Sequence, residues 1–373
     1  ILNSYGKQFK LSGYTMSSDM GAQKLITDKD AEGKTTVSLP SSFNASVLTK
    51  TRYVQTTTEG YTGKKEGTER GEIQMFDEGF IQLAGRISES WGFISEFTAD
   101  GLSTAKFAGA TDIAGGTGGL SLFTSDGFGP FYGQELWSTG IYRPDRLFED
   151  RSNTNAAQVT GIGAHAVTGA ALSLKKDALF ANVTLFTPNS QYQDDSAPEK
   201  GNHMDSTPGN IAYRAAYELH AGDVGGMVGI FGTSGTSTYY PDGIVEVNQV
   251  TDSFGIDTEW ETHSMVVNAV YATTKGNEDG ESIYKNGTSD TTAMSANISY
   301  ALSNKLFVKG AYLNYAVKDN KTKDFSAITP GVEYFINDNM RTAFEYSMKS
   351  YADSATAKTK DTDQLLAMLM IVF

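Results

Sequence analysis

Runs of alternating apolar and polar residues recur along most of this chain, and the connections between them are sorted by length. From Gly79, Ile81, Leu83, Gly85 and Ile87 fall on one face, with Gln82, Ala84 and Arg86 on the other. After Ser88-Glu89-Ser90 the period of two resumes in Trp91, Phe93, Phe97 and Ala99, opposed to Gly92, Glu96, Thr98 and Asp100. Two such runs around a tight connection predict a β-hairpin. The unit returns at 170–174 with 179–185, 211–219 with 225–232, 254–260 with 265–271, 294–302 with 306–315, and 328–334 with 340–346. Between hairpins lie polar stretches rich in Gly, Ser, Thr, Asn and Asp: 101–117, 142–157, 189–209, 234–251, 275–291 and 351–362. That composition suits exposed loops.

Short and long connections therefore alternate. A soluble β-sandwich has no reason to sort its turns in this way. A transmembrane antiparallel barrel does, with short turns on one side of the membrane and long loops on the other. The longest uninterrupted apolar run, residues 365–373, is far too short for a spanning helix, whereas a spanning strand needs only about 10 residues. Residues 8–16 read as a first strand, a weaker hairpin joins 118–124 to 131–141, and a last strand runs to Phe373. With the six hairpins above these make 16 strands, the even count that such a barrel requires. Residues 44–57 also read as extended; with 35–41 as partner they would raise the count to eighteen. Otherwise 17–77 is a long first loop or insertion in a single barrel domain.

The other sequence signals exclude more than they assign. There is no Cys, so disulfides and thiolate metal sites are ruled out. Thirty Lys and Arg against 44 Asp and Glu leave a net charge of −14, which argues against nucleic-acid partners. His165, His203, His220 and His263 are scattered, and no metalloprotease, nucleophile-elbow or phosphate-loop motif occurs, so no enzyme, cofactor or metal is expected. Gly115 to Gly119 precedes no helix and is a poor phosphate cradle. Asp28, Asp30 and Glu32 imitate the start of a calcium loop, but Leu39 stands where the bidentate carboxylate belongs. No basic and apolar leader follows Ile1, so a secretory signal is expected to have been removed already.

Phe373 ends the chain, with Leu365, Ala367, Leu369 and Ile371 on the same face. This strand resembles the C-terminal signature of bacterial outer-membrane proteins, which the barrel assembly machinery recognises. As a whole the chain resembles a 16-stranded porin of the Gram-negative outer membrane. It is more loosely similar to the phosphate-selective (O/P-type) porin group, through Gly133 to Phe148 (GQELWSTGIYRPDRLF) and Glu333 to Arg341 (EYFINDNMR). The resemblance implies passive diffusion of small hydrophilic solutes or ions, contact with outer-membrane lipid and lipopolysaccharide, and a homotrimer. Phosphate selectivity is not implied, because only eight Arg occur and several lie in predicted loops.

The resemblance also implies a third loop folded into the lumen, which places a pore constriction in 142–157: Arg143, Asp145, Arg146, Glu149, Asp150 and Arg151, with Pro144 stiffening the entry. Charged loop residues facing charged walls filter ions by sign. Parity along the strands assigns Arg86, Glu96, Arg214, Glu218, Asp257, Glu259, Glu333, Arg341 and Glu345 to the pore wall, and leaves Lys309 ambiguous. Three positive against six negative wall residues predict weak cation selectivity. Trp91, Phe93, Phe97, Tyr213, Tyr217, Phe254, Trp260, Met294, Ile298 and Tyr300 are expected to face lipid. The alternative is a barrel that sleeves a partner protein, such as an electron-carrying cytochrome or a surface fibre, favoured by the length of 17–77.

Overall fold

The computed structural model describes residues 4–16, 24–40, 44–59, 71–99, 101–144, 146–188, 203–204, 209–240, 247–277, 281–284, 287–352 and 361–373. Sixteen antiparallel strands close into one barrel. They are β1 (Asn44–Thr58), β2 (Glu72–Arg86), β3 (Trp91–Thr98), β4 (Gly101–Ile113), β5 (Gly116–Ser125), β6 (Val167–Lys176), β7 (Leu179–Pro188) and β8 (Asn210–Ala221). The second half comprises β9 (Val224–Ser234), β10 (Ser253–Glu261), β11 (Met265–Thr274), β12 (Thr291–Ala301), β13 (Leu306–Val317), β14 (Phe325–Asn337), β15 (Met340–Tyr351) and β16 (Thr362–Val372). β16 pairs with β1 from Thr362↔Thr58 to Val372↔Leu48, which removes the open edges that would otherwise leave backbone groups unpaired.

Which segments supply the sixteen differs from the expectation in two places. Residues 8–16 are not a barrel strand: Ser4–Leu11 is a helix, α1, inside the lumen. Gly13 and Tyr14 then take left-handed backbone (φ 67° and 64°), which no strand tolerates in succession. A few alternating residues do not distinguish strand from helix, and here Phe9, Leu11 and Tyr14 pack inward. The barrel begins instead at β1, so 17–77 is not one long loop. Within it, Leu25–Lys29 pairs with Thr35–Pro40 as a separate two-stranded hairpin, and the barrel stays at sixteen.

The second difference is at β4. The 101–117 stretch read as a loop is mostly strand, joined to β5 by a turn at Ala114 and Gly115. Its many Ser, Thr, Ala and Gly residues gave a weak apolar period, with only Leu102, Phe107 and Ile113 large and exposed. Residues 131–141, expected as strand, fold into the lumen within an inner loop spanning 126–166.

Outside, the barrel carries the apolar face that strand parity requires. Phe97, Tyr217, Phe254, Met294, Ile298 and Tyr300 are exposed. Trp91, Tyr213 and Trp260 share that parity but lie half-buried over glycines of the next strand. A Cβ at Gly109 would come within 2.6 Å of the Trp91 ring, and one at Gly226 within 2.3 Å of Trp260. These cross-strand aromatic–glycine pairs cover bare backbone and fix register. At the long-loop end, His203–Met204, Thr236–Tyr240, Val247–Val250 and Glu281–Ser282 form a small four-stranded sheet.

Candidate functional site

A barrel this wide must fill its interior or leave a channel. Here the inner loop crosses the lumen and is fastened to many strands. It enters through a 3-10 turn, Pro130–Gly133, with Phe131 edge-on to Phe231 of β9 at 5.9 Å between ring centroids. Trp137 meets Phe180 of β7 at 5.2 Å. A short helix, α2 (Ala156–Thr160), is capped by the Asn155 side chain, which accepts from the Gln158 amide at 3.2 Å. The Ala156 amide donates to Ser295 Oγ of β12 at 3.0 Å.

Polar anchors hold the loop elsewhere. Arg214 Nε donates to Glu135 at 2.9 Å. The Ser138 amide donates to Glu259 Oε2 at 2.9 Å, and Asn268 Nδ2 to the Ser138 carbonyl at 3.2 Å. On the opposite wall, the amides of Glu149 and Asp150 donate to the two oxygens of Glu345, each at 2.9 Å. Lys309 Nζ donates to the Leu147 carbonyl at 2.9 Å and to Glu345 at 3.0 Å. Its inward direction is thereby settled.

The charged centre is Glu149. Its carboxylate meets Lys50 at 3.1 Å, Arg52 at 3.0 Å, Arg146 at 3.1 Å and Arg341 at 3.9 Å. Burial alone would push this carboxyl up, but the four cations outweigh burial and hold it well below the ordinary carboxylate range. Glu78 joins the cluster through Arg52 at 2.6 Å and Lys50 at 3.1 Å. Arg143 and Arg151 make no ion pair among the described residues. Burial lowers both guanidinium pKa values, and repulsion from Arg146 lowers them further. Arginine nevertheless keeps its charge in proteins.

Not every site residue read from the sequence joins this cluster. Arg143, Arg146, Glu149, Asp150 and Arg151 lie in the inner loop, and Asp145 lies outside the described residues. Arg214, Asp257, Glu259 and Glu345 point inward and brace the loop. Glu333 pairs with Arg341 at 2.6 Å and Lys309 at 3.4 Å. Glu96 faces the cavity beside Ser103 Oγ at 3.4 Å. Glu218 and Arg86 stand apart, on Lys175 at 2.7 Å and the Ser88 carbonyl at 2.8 Å. Lys50, Arg52, Glu78, Lys106 and Glu135 join the site although the sequence pattern does not assign them to it. Inward parity on β1 exposes the first two once that segment is taken as strand. Glu135 gave no signal, since its segment read as a strand.

Below the loop, toward the short turns, a cavity of about 720 Å³ opens between α1, residues 142–149 and the wall. Its lining carries six cations (Lys10, Lys50, Arg143, Arg146, Lys309, Arg341) against four carboxylates (Glu78, Glu96, Glu149, Glu333). Helix α1 forms one side. Lys10 Nζ donates to the Glu135 carbonyl at 2.8 Å and lies 4.6 Å from the Tyr142 ring centroid. Lys7 reaches Glu261 at 3.4 Å, and Tyr14 OH meets Lys106 Nζ at 2.9 Å. No group of three His, Asp or Glu side chains suited to a metal occurs among the described residues.

No family model matches the chain, and no curated protein matches it. Solved structures do. The anion-selective porin from Comamonas acidovorans aligns over 89% of this chain and 99% of its own, with a TM-score of 0.57 and 11% identity. The fold is that of a sixteen-stranded porin. OmpT of Vibrio cholerae aligns over 89% and 97% (TM-score 0.55, 12% identity), and the outer-membrane channel DcaP of Acinetobacter baumannii over 94% and 100% (TM-score 0.51, 10% identity).

Proposed function

We propose that this protein is a bacterial outer-membrane porin, a non-enzymatic channel for passive diffusion of small hydrophilic solutes or ions. The observation that carries the reading is the inner loop, fastened across the lumen of a closed, outwardly apolar barrel and presenting a charged cluster beside an open cavity. The short turns then lie on the periplasmic side and the long loops outside. Lipid and lipopolysaccharide are the surroundings that the exposed aromatic face fits. A homotrimer follows by analogy with OmpT of Vibrio cholerae, described as a trimer form. Phe373 and its face-mates on β16 act as the assembly signal.

The constriction is formed by Arg143, Arg146, Glu149, Asp150 and Arg151 facing Lys50, Arg52, Glu78, Lys309, Glu333, Arg341 and Glu345. Net charge and the clearer wall residues favoured weak cation selectivity. That balance left out Lys10 and Lys50, and did not count Lys309 as wall. With them the cavity lining leans positive, and we read the channel as weakly preferring anions. The narrower likeness to phosphate-selective porins rests on residues 133–148 and 333–341 alone, and adds no phosphate specificity. The sleeve alternative is disfavoured by a lumen already occupied by the protein's own loop and helix.

Planar-bilayer recording tests the reading. Stable single-channel steps in KCl and a reversal potential of anionic sign in a salt gradient are expected. A cationic sign would overturn the charge assignment, and the absence of current would overturn the channel.

A further inference from the structure

The lumen wall beneath the inner loop has two tiers. On five strands an inward-facing charged residue is followed, one inward step toward the short turns, by an apolar one. Leu48 follows Lys50, Phe80 follows Glu78, Ile94 follows Glu96, Phe307 follows Lys309 and Phe335 follows Glu333; all ten line the cavity. Two residues of strand rise about 6.6 Å, so the tiers are separated by the length of a small molecule. The five apolar side chains are each only partly buried. Phe307 and Phe335 meet edge-on at 5.5 Å between centroids and form an aromatic corner.

A general diffusion pore has a polar interior, because apolar side chains facing water contribute nothing to solute passage and cost hydration. The apolar tier therefore needs an occupant. Its charge is set by the tier above. Glu78, Glu149 and Glu333 are committed to Lys50, Arg52, Arg146, Arg341 and Lys309, and Glu96 accepts from the Ser103 hydroxyl, whereas Arg143 faces the same cavity with no ion pair or side-chain hydrogen bond among the described residues. A guanidinium in that position suits a planar carboxylate. A volume of about 720 Å³ falls within the range of small-molecule sites.

We propose that this cavity is a binding site for amphipathic monoanions, aryl carboxylates in particular. The carboxylate rests on Arg143 and the cationic tier, and the ring rests against Phe80, Phe307 and Phe335. The inference rests on the channel reading and narrows its solute class. Benzoate, acetate and benzylammonium separate the contributions of ring and charge. In planar bilayers, benzoate is expected to interrupt the KCl current at a concentration at least fivefold lower than acetate, with benzylammonium weaker than both. Calorimetric titration of the detergent-solubilised full chain should give the same order without relying on current. Phe80→Ser and Phe335→Ser should each bring benzoate several-fold closer to acetate, and Arg143→Gln should weaken benzoate while strengthening benzylammonium, from which it removes a repulsive charge. Equal action of benzoate and acetate would overturn the apolar tier as a site but leave an anion channel standing. Equal action of benzoate and benzylammonium would overturn the charge assignment. If no current is seen but benzoate still titrates in the stated order, the channel falls and the site survives.

Discussion

Arg214 on β8 and Asp257 on β10 are joined by two hydrogen bonds, Nη1 to Oδ1 at 2.6 Å and Nη2 to Oδ2 at 2.9 Å, across the intervening strand β9. The bridge is possible because Gly229 of β9 has no side chain: a Cβ there would stand 2.0 Å from Arg214 Nη1. Glu135 of the inner loop occupies the third side of the guanidinium, so one buried cation fastens the loop to the wall.

Removing that cation leaves two buried carboxylates without their ion-pair partner, a loss of about 3–5 kcal/mol where one member of a buried pair is deleted. Arg214→Met is therefore expected to lower the thermal midpoint in detergent and to expose the inner loop to protease while the barrel persists. Gly229→Ala should act in the same direction by steric displacement. Circular-dichroism melts and limited proteolysis read both effects; a variant with wild-type loop protection would show that Arg214 does not hold the loop.

Glu149 gives a pH prediction with a definite sign. Burial pushes its carboxyl up, but Arg146, Lys50, Arg52 and Arg341 together hold it well below the ordinary carboxylate range. A carboxyl depressed in the native state stabilises that state above the unfolded pKa, and the contribution is lost as pH falls through the native value. The loop should thus stay anchored down to about pH 4 and loosen only under stronger acid. Glu149→Gln should make the channel more anion-preferring at neutral pH and abolish the acid-dependent step, as measured by reversal potentials across a pH series.

The barrel was legible because most strands follow one simple rule: large apolar residues outward at a period of two. Tyr217, Met294 and Ile298 follow it and point where parity put them. Where the outward face is built from small or Thr-rich residues, as on β4 and β1, the contrast fades and the strands hide. The lumen obeys no such period. Glu135 lies in a stretch that alternates like a strand, yet it folds inward because Trp137, Phe131 and Leu136 find apolar partners inside. Parity also gives the direction of Glu345 but not the two backbone amides it accepts from, which come from a loop nearly two hundred residues away.

Phe373 extends the closing seam of the barrel. Its amide donates to the Val47 carbonyl at 3.0 Å, and its carbonyl accepts from the Val47 amide at 2.6 Å. Its ring is the most exposed large apolar side chain of the described residues, at 69%. Deleting Phe373, or changing it to Asp, is expected to reduce the amount of protein assembled in the outer membrane without changing the conductance of the molecules that do assemble. Membrane fractionation with single-channel recording separates the two, and normal outer-membrane levels of the deletion variant would remove Phe373 from the assembly signal.

Helix α1 restricts the short-turn mouth without being part of the wall. Its docking depends on close backbone approach: a Cβ at Gly92 of β3 would lie 2.2 Å from the Gly13 carbonyl oxygen, and one at Gly13 would lie 2.8 Å from that of Ala108. Leu11 packs against the apolar cluster that includes Leu136 and Trp137 of the inner loop, and Lys10 is tied to Glu135 and Tyr142. The barrel closes without this segment, since β1 begins at Asn44 and pairs with β16 along its length. Deleting residues 4–16 should therefore leave the barrel folded, raise single-channel conductance and admit larger neutral sugars in liposome-swelling assays. Gly92→Val, which pushes the helix off the wall without removing its lysines, should change conductance in the same direction. An unchanged size limit in both variants would mean that the inner loop alone sets the narrowest point.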